Sequence, residues 1–210
     1  MNETTNTSND QIGKINQYFT TVLTNAGSLM PKLNSLVDTI EELNGDICII
    51  TETWIRSGAG VEQKLQDLED STMYVMIRKD RKSSRASGGV AVCYRKATIE
   101  MSEIKIPSSG FEVVAAIGRR SGQRRKIAVI WVYVPPWYDA NDNEECMEYL
   151  SDVLVRISGK FVSPYILIGG AMNKREITKA TKGFPSIKMI ITEPTRGKNV
   201  LDVSASNLMI

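Results

Sequence analysis

Tyr165-Ile166-Leu167-Ile168-Gly169-Gly170-Ala171-Met172-Asn173 is the stretch on which the fold turns. Tyr165–Ile168 is a short apolar run of the kind that fills a sheet covered on both faces. The two glycines predict a sharp turn straight after it, with no side chain blocking the strand end. Enzymes built on sheets collect their polar groups at the ends of central strands. This stretch offers an amide there, Asn173, and at Ala171 only a methyl group.

Working outward, Ile47–Ile50 is another continuous apolar run and predicts a second central strand, ending in Thr51-Glu52-Thr53-Trp54. Phe19–Thr24, Met73–Ile77, Val90–Tyr94, Met189–Thr192 and Val200–Ala205 are further strand candidates. Glu112–Ile117 and Lys126–Val134 read as a hairpin turning through Gly118, Ser121 and Gly122. Lys32–Leu43 carries apolar residues at helical spacing, with Pro31 at its start and Gly45 just past its end. A short helix is expected over Val61–Leu68 and a longer amphipathic one over Glu144–Ile157, capped by Asp142. Helices separated by a strand-rich middle predict an α+β chain, with two packed, mostly antiparallel sheets flanked by helices in four α/β/β/α layers. Residues 1–17 read as a flexible lead and 18–210 as one domain.

The chain has 210 residues, 42% hydrophobic and 24% charged, with a formal net charge of +2, so bulk charge does not announce a polyanion partner. No apolar run approaches the roughly 20 residues of a membrane span. Cys48, Cys93 and Cys146 have no paired spacing and read as buried, reduced thiols. There is no histidine, which removes Ser-His-Asp and Cys-His catalysis and any His-ligated metal. Chemistry must come from carboxylates, amides, Tyr, Lys, Arg or a hard cation.

Glu52, at the mouth of a buried strand, is either hydrogen-bonded structurally or a ligand for such a cation. Trp54, two residues on, reads as core or rim packing. Asn25, Tyr133 and Asn173 are polar groups at strand ends, each taken singly a turn or capping residue. Asp202 interrupts the apolar run Val200-Leu201-Asp202-Val203, as an ion-pair partner or a site residue. Three segments, Arg78–Arg85, Arg119–Lys126 and Lys174–Lys182, are strongly basic. They are either solvated loops or a phosphate-tracking surface.

Taken in order, these pieces resemble the endonuclease/exonuclease/phosphatase superfamily, whose fold is DNase-I-like. More narrowly, they resemble the apurinic/apyrimidinic-type endonucleases of non-LTR retrotransposons. The resemblance rests on Asn25 with Ser28-Leu29, on Ile47 to Trp54 ending Glu-Thr-Trp, and on Arg81 with Gly88-Gly89-Val90-Ala91-Val92. It continues through Val132-Tyr133-Val134-Pro135-Pro136, Tyr165–Asn173 and Leu201-Asp202-Val203. It covers about residues 19–205, and six motifs in the right order are far more specific than any one.

The resemblance implies an Mg²⁺-dependent (alternatively Mn²⁺-dependent) endonuclease that nicks target DNA and leaves a 3′-OH primer for an adjoining reverse transcriptase. It implies Glu52 as the metal ligand, Asn25 and Tyr133 on the phosphate, Asn173 orienting water, and Asp202 in the acidic lining. DNA would be tracked by Arg78, Arg81, Arg85, Lys174 and Arg175. An intracellular location follows, nuclear for chromosomal DNA. Two departures stand out: the family has Asp where this chain has Ala171, and it continues into a Ser-Asp-His segment on a later strand. The chain thus reads as a C-terminally truncated, substituted member lacking its last strand. The other readings are a catalytically inactive nucleic-acid-binding remnant and a phosphatase acting on small esters.

Overall fold

The apolar runs do form the centres of two sheets. The computed structural model describes residues 19–56, 58–80, 87–173, 177–190 and 202–207. Sheet A holds β1 (Thr21–Asn25), β2 (Ile47–Thr51), β3 (Tyr74–Lys79) and β4 (Val90–Arg95) in the order β1-β2-β4-β3. Sheet B holds β5 (Ile99–Glu103), β6 (Glu112–Arg120), β7 (Ile127–Tyr133), β8 (Tyr165–Ala171), β9 (Lys188–Met189) and β10 (Asp202–Ser206), in the order β5-β6-β7-β8-β10-β9. The pairs β1/β2 and β7/β8 are parallel and the other pairs antiparallel. The helices are α1 (Leu33–Glu42), entered through a 3-10 turn at Met30–Lys32, then α2 (Ala59–Ser71), α3 (Ala140–Lys160) and the single turn α4 (Thr178–Thr181).

The period-two alternation of strand side chains sets the layers. Ile47 and Ile49 of β2 and Val90 and Val92 of β4 face Val114, Val129 and Trp131 across the sandwich. The intervening Cys48, Ile50, Ala91 and Cys93 point the other way, onto Leu33, Val37 and Ile40 of α1 and Leu65 and Leu68 of α2. On sheet B, Ala128, Ile130 and Val132 turn outward onto Leu150, Val153, Leu154 and Ile157 of α3. The expected four α/β/β/α layers are therefore present. The three cysteines are buried free thiols. Among the described residues, no helix is long and apolar enough to cross a membrane.

Several local expectations need correction. Gly169 and Gly170 do not turn the chain: they lie within β8, opposite Trp131 and Val132 of β7 and opposite Ser204 and Val203 of β10. Their role is close approach, since a Cβ on Gly170 would lie 1.9 Å from the Val132 carbonyl oxygen. The turn comes later, where Asn173 takes φ 46°. Strand β5 had no assignment, although Ile99 and Met101 alternate with exposed Glu100 and Ser102. The cap of α3 is Asp139, one turn earlier than expected. Its carboxylate accepts from the Asp142 N–H at 2.9 Å while Asp142 accepts from the Asp139 N–H at 3.1 Å, a reciprocal capping box. Gly118 belongs to β6 and Arg78 to β3 rather than to loops.

The two kinds of glycine in the fold behave oppositely on substitution. Gly170→Ala is expected to lower stability by about 2 kcal/mol or more, because the added methyl meets backbone that cannot yield. Gly159→Ala, in α3 with nothing within 4 Å of its Cβ position, is expected to stabilise by about 0.5–1 kcal/mol. Urea unfolding midpoints check both, and shifts of the same sign would contradict this packing.

Candidate active site

One end of the sandwich gathers the polar strand termini. In sheet B a single row runs across four strands: Glu112 of β6 lies opposite Tyr133 of β7, Tyr133 opposite Ala171 of β8, and Ala171 opposite Asp202 of β10. In sheet A, Asn25 ends β1 opposite Thr51, the last residue of β2, and Glu52 follows at once. Strand β4 packs across β6 and β7, and β2 against β7, so both sets of ends open at one mouth.

Glu52 is half-buried and has left the strand with φ 55°. Its Oε2 accepts from the Trp54 indole N–H at 2.6 Å and from the Gly88 backbone N–H at 3.0 Å. Both bonds fall on one oxygen, and no described residue bonds to Oε1. The next backbone N–H, that of Gly89, donates to Glu112 Oε2 at 2.6 Å, joining the start of β4 in sheet A to β6 in sheet B. Gly88 and Gly89 have φ 105° and 85°, so consecutive left-handed glycines aim consecutive N–H groups at two carboxylates. Gly89 must also lack a side chain, since a Cβ there would sit 2.3 Å from Thr53 Oγ1.

The remaining residues are placed less uniformly. Asn25 is exposed at the rim. The loop after it is fixed by the Lys32 ammonium, which donates to the carbonyls of Ala26 at 2.5 Å and Gly27 at 3.1 Å. Tyr133 is 2% exposed and packs in the core between the sheets together with Ala171. Asn173 is partly spent on structure: its Nδ2 donates to the Val134 carbonyl at 2.7 Å, tying the end of β8 to the chain entering Pro135-Pro136. Asp202 is placed by its backbone as the first residue of β10. Arg78 is held by two carboxylates, Asp80 at 3.0 Å and Glu62 at 2.5 Å. Arg81, Arg85, Lys174 and Arg175 lie outside the described residues.

Two further features mark this end. Six non-glycine residues have positive φ among those described, and four of them, Ser28, Glu52, Trp54 and Asn173, stand here. Such conformations cost about 1–3 kcal/mol each and concentrate where a site demands a fixed geometry. Thr51 Oγ1, Trp131 Nε1 and Ser204 Oγ are buried polar atoms without a hydrogen-bond partner among the described residues. The thiols take no part. Burial pushes those of Cys93 and Cys146 up to about 12 and that of Cys48 up as well, so they remain protonated at neutral pH.

The donors present fit one hard divalent cation. Among the described residues no three His, Cys, Asp or Glu cluster as a metal cage. Mg²⁺ needs no such cage, because it keeps several waters and takes one or two carboxylates together with substrate phosphate. Glu52, with Oε2 tethered and Oε1 left over, suits that role, and the tether supplies the orienting hydrogen bonds that metal ligands use. Sequence reasoning missed Glu112 and Lys32 and gave Trp54 a packing role. The one signal available was a glutamate heading the β-rich run Glu112–Ile117.

No family model and no curated protein matches the sequence. Solved structures do match, and they share this α+β sandwich, the DNase-I-like fold. A mannosyl-6-phosphatase from Bacteroides thetaiotaomicron superposes with TM-score 0.67 at 9% identity, covering 90% of this chain and 85% of that one. An endonuclease/exonuclease/phosphatase family protein from the same organism gives 0.65 at 10% identity, covering 90% and 80%. The endonuclease domain of TRAS1, a telomere-specific non-LTR retrotransposon, gives 0.61 at 12% identity, covering 89% and 83%.

The double tether predicts a distinct stability pattern at Glu112. Glu112→Ala strands the buried Gly89 N–H and is expected to cost about 1–3 kcal/mol, whereas Glu112→Gln keeps an acceptor and should lose less than half of that. Denaturant midpoints of the two variants check it; equal losses would show that an amide oxygen cannot take the place of the carboxylate as acceptor.

Proposed function

We propose that the cleft is the phosphodiester-hydrolysing site of a divalent-cation-dependent DNA endonuclease domain of the non-LTR retroelement kind, with its catalysis impaired at position 171. The observation that carries this reading is Glu52, fixed at the mouth by Trp54 and Gly88 with one oxygen left for a cation. A bound Mg²⁺ or Mn²⁺ would supply charge neutralisation at the scissile phosphate. Asn25, exposed beside it, would donate to a phosphate oxygen, and the Tyr133 phenol, at the head of the inter-sheet core, would position the same group from below. Asn173 would hold the attacking water near the end of β8. Asp202 would contribute negative charge next to position 171. Arg81, Arg85, Lys174 and Arg175, which flank these motifs in sequence, would follow the DNA backbone. Action on chromosomal DNA would place the domain in the nucleus, with a reverse transcriptase using the 3′-OH.

Ala171 ends β8 in the row between Tyr133 and Asp202, where the resembling enzymes carry Asp. A methyl group cannot accept the proton of an attacking water, and loss of a positioned base costs about 10²–10⁴-fold. The cleft as it stands therefore binds better than it cuts.

A second reading, a phosphatase for small esters, is favoured by the mannosyl-6-phosphatase match. Plasmid nicking in Mg²⁺ separates the two. Ala171→Asp is expected to raise nicking by about 10²-fold or more, and adding Glu52→Ala to return it to background. Phosphate release from mannose 6-phosphate by Ala171→Asp without nicking would establish the second reading. Failure of both activities in Ala171→Asp extended by a Ser-Asp-His segment would mean that these residues are not an active site.

A further inference from the structure

The mouth uses one end of sheet B, and the opposite end carries a charge pattern that the mouth does not explain. Strand β7 runs from Ile127, opposite Tyr165 at the start of β8, to Tyr133 in the mouth. At about 3.3 Å per residue the two ends are about 20 Å apart. At the far end, Arg119–Lys126 holds five cations and no carboxylate. Arg156–Tyr165, the end of α3 and the loop into β8, adds Arg156 and, in the last turn, Lys160, again with no carboxylate. Two of these seven meet carboxylates: Arg120 pairs with buried Asp46, and Arg119 lies 3.8 Å from Glu100. Arg124, Arg125, Lys126, Arg156 and Lys160 are exposed, and none pairs with a described carboxylate.

Aromatic rings hold three of the cations in place. The Arg125 guanidinium lies 3.9 Å over the Tyr165 ring and donates from Nε to the Ser163 carbonyl at 2.6 Å. The Lys126 and Lys160 ammonium groups share the Phe161 ring, at 5.1 Å and 5.5 Å from its centroid. A cation over a ring gains attraction and loses side-chain freedom before any ligand arrives. Two ammonium groups around one ring concentrate positive charge there, which a bound anion would neutralise. Lys160 alone would be explained by the negative end of α3; the others would not. Beside them Val162 is 95% exposed, an apolar side chain set among cations.

We infer that this end of sheet B is a second nucleic-acid contact, which takes the phosphates of a single strand about 20 Å from the mouth. Fixed cations track the backbone, while Val162 and the Phe161 edge give an unstacked base an apolar surface, which a duplex, its bases paired inside, has no use for. The contact needs neither a divalent cation nor cleavage, so it stands whether or not the mouth hydrolyses anything.

The test is fluorescence anisotropy of the whole chain, in EDTA, with labelled single-stranded DNA, single-stranded RNA and duplex 20-mers across a salt series. Arg124→Gln/Lys126→Gln/Lys160→Gln changes exposed side chains only, and an unchanged urea midpoint verifies its fold. Single strands are expected to bind more tightly than duplex. The triple variant is expected to weaken them at least about 10-fold and to flatten the slope of log K against log salt by about 2, near 0.7 for each charge removed. Val162→Asp, tested separately, should weaken single-strand binding several-fold. The DNA and RNA arms show which strand is preferred, and tight binding of either supports the inference. Unchanged affinity and slope in the triple variant, a preference for duplex, or binding only to phosphatidylserine vesicles would overturn it.

Discussion

Two adjacent backbone N–H groups organise the mouth of this fold. Gly88 donates to Glu52 and Gly89 to Glu112, so one dipeptide fixes a carboxylate from each sheet. An L-residue at either position would meet the cost of φ near +90°, and at Gly89 the Thr53 side chain as well. At the mouth the sheets otherwise meet through non-directional apolar packing of Ile47, Ile49, Val90 and Val92 against Val114, Val129 and Trp131, while directional links lie farther off, at the Tyr94 hydroxyl donating to the Met101 carbonyl and at the Arg120–Asp46 pair. Packing of that kind sets a spacing but does not aim a side chain. Charge-assisted hydrogen bonds do, and here they run at 2.6 Å to Glu112 and 3.0 Å to Glu52.

Around that pair the site is uneven. Glu52, Trp54, Asn25 and Lys32 form a well-braced half on sheet A, with left-handed backbone at Ser28, Glu52 and Trp54. On sheet B the row Glu112, Tyr133, Ala171, Asp202 has a methyl group at its third position. Beneath it, Trp131 Nε1 and Ser204 Oγ flank Gly169 without partners among the described residues. Buried polar atoms of this kind are unfavourable unless water or a ligand reaches them. The sheet B half therefore holds polar groups without partners among the described residues close to a position that carries only a methyl group.

Much of the architecture was legible because it rests on periodicity. Continuous apolar runs marked β2 and β8, helical spacing marked α1 and α3, and the order of elements gave the layers. What the sequence concealed was context. Gly169-Gly170 reads as a turn by local rules, yet lies within a strand because Val132 of β7 needs the room. Strand β5 is too short and too charged at Glu100 and Glu103 to stand out before its pairing with β6 is known. Glu52, Asn25, Tyr133 and Asn173 could be picked out at strand ends, but Glu112 could not. Its importance arises from an N–H that lies 23 residues away in sequence. Trp54 looked like packing because nothing local shows its indole N–H reaching back two residues to Glu52.

The most direct test of the mouth is where a divalent cation binds. In ¹H–¹⁵N spectra of the chain titrated with substoichiometric Mn²⁺, paramagnetic broadening is expected first at the amides of Glu52, Gly88 and Gly89 and at Asn25. Glu52→Gln should abolish it, since a neutral amide is a far weaker ligand for a hard cation. Broadening that centres elsewhere, or that survives Glu52→Gln unchanged, would contradict the placement of Glu52 as the cation ligand.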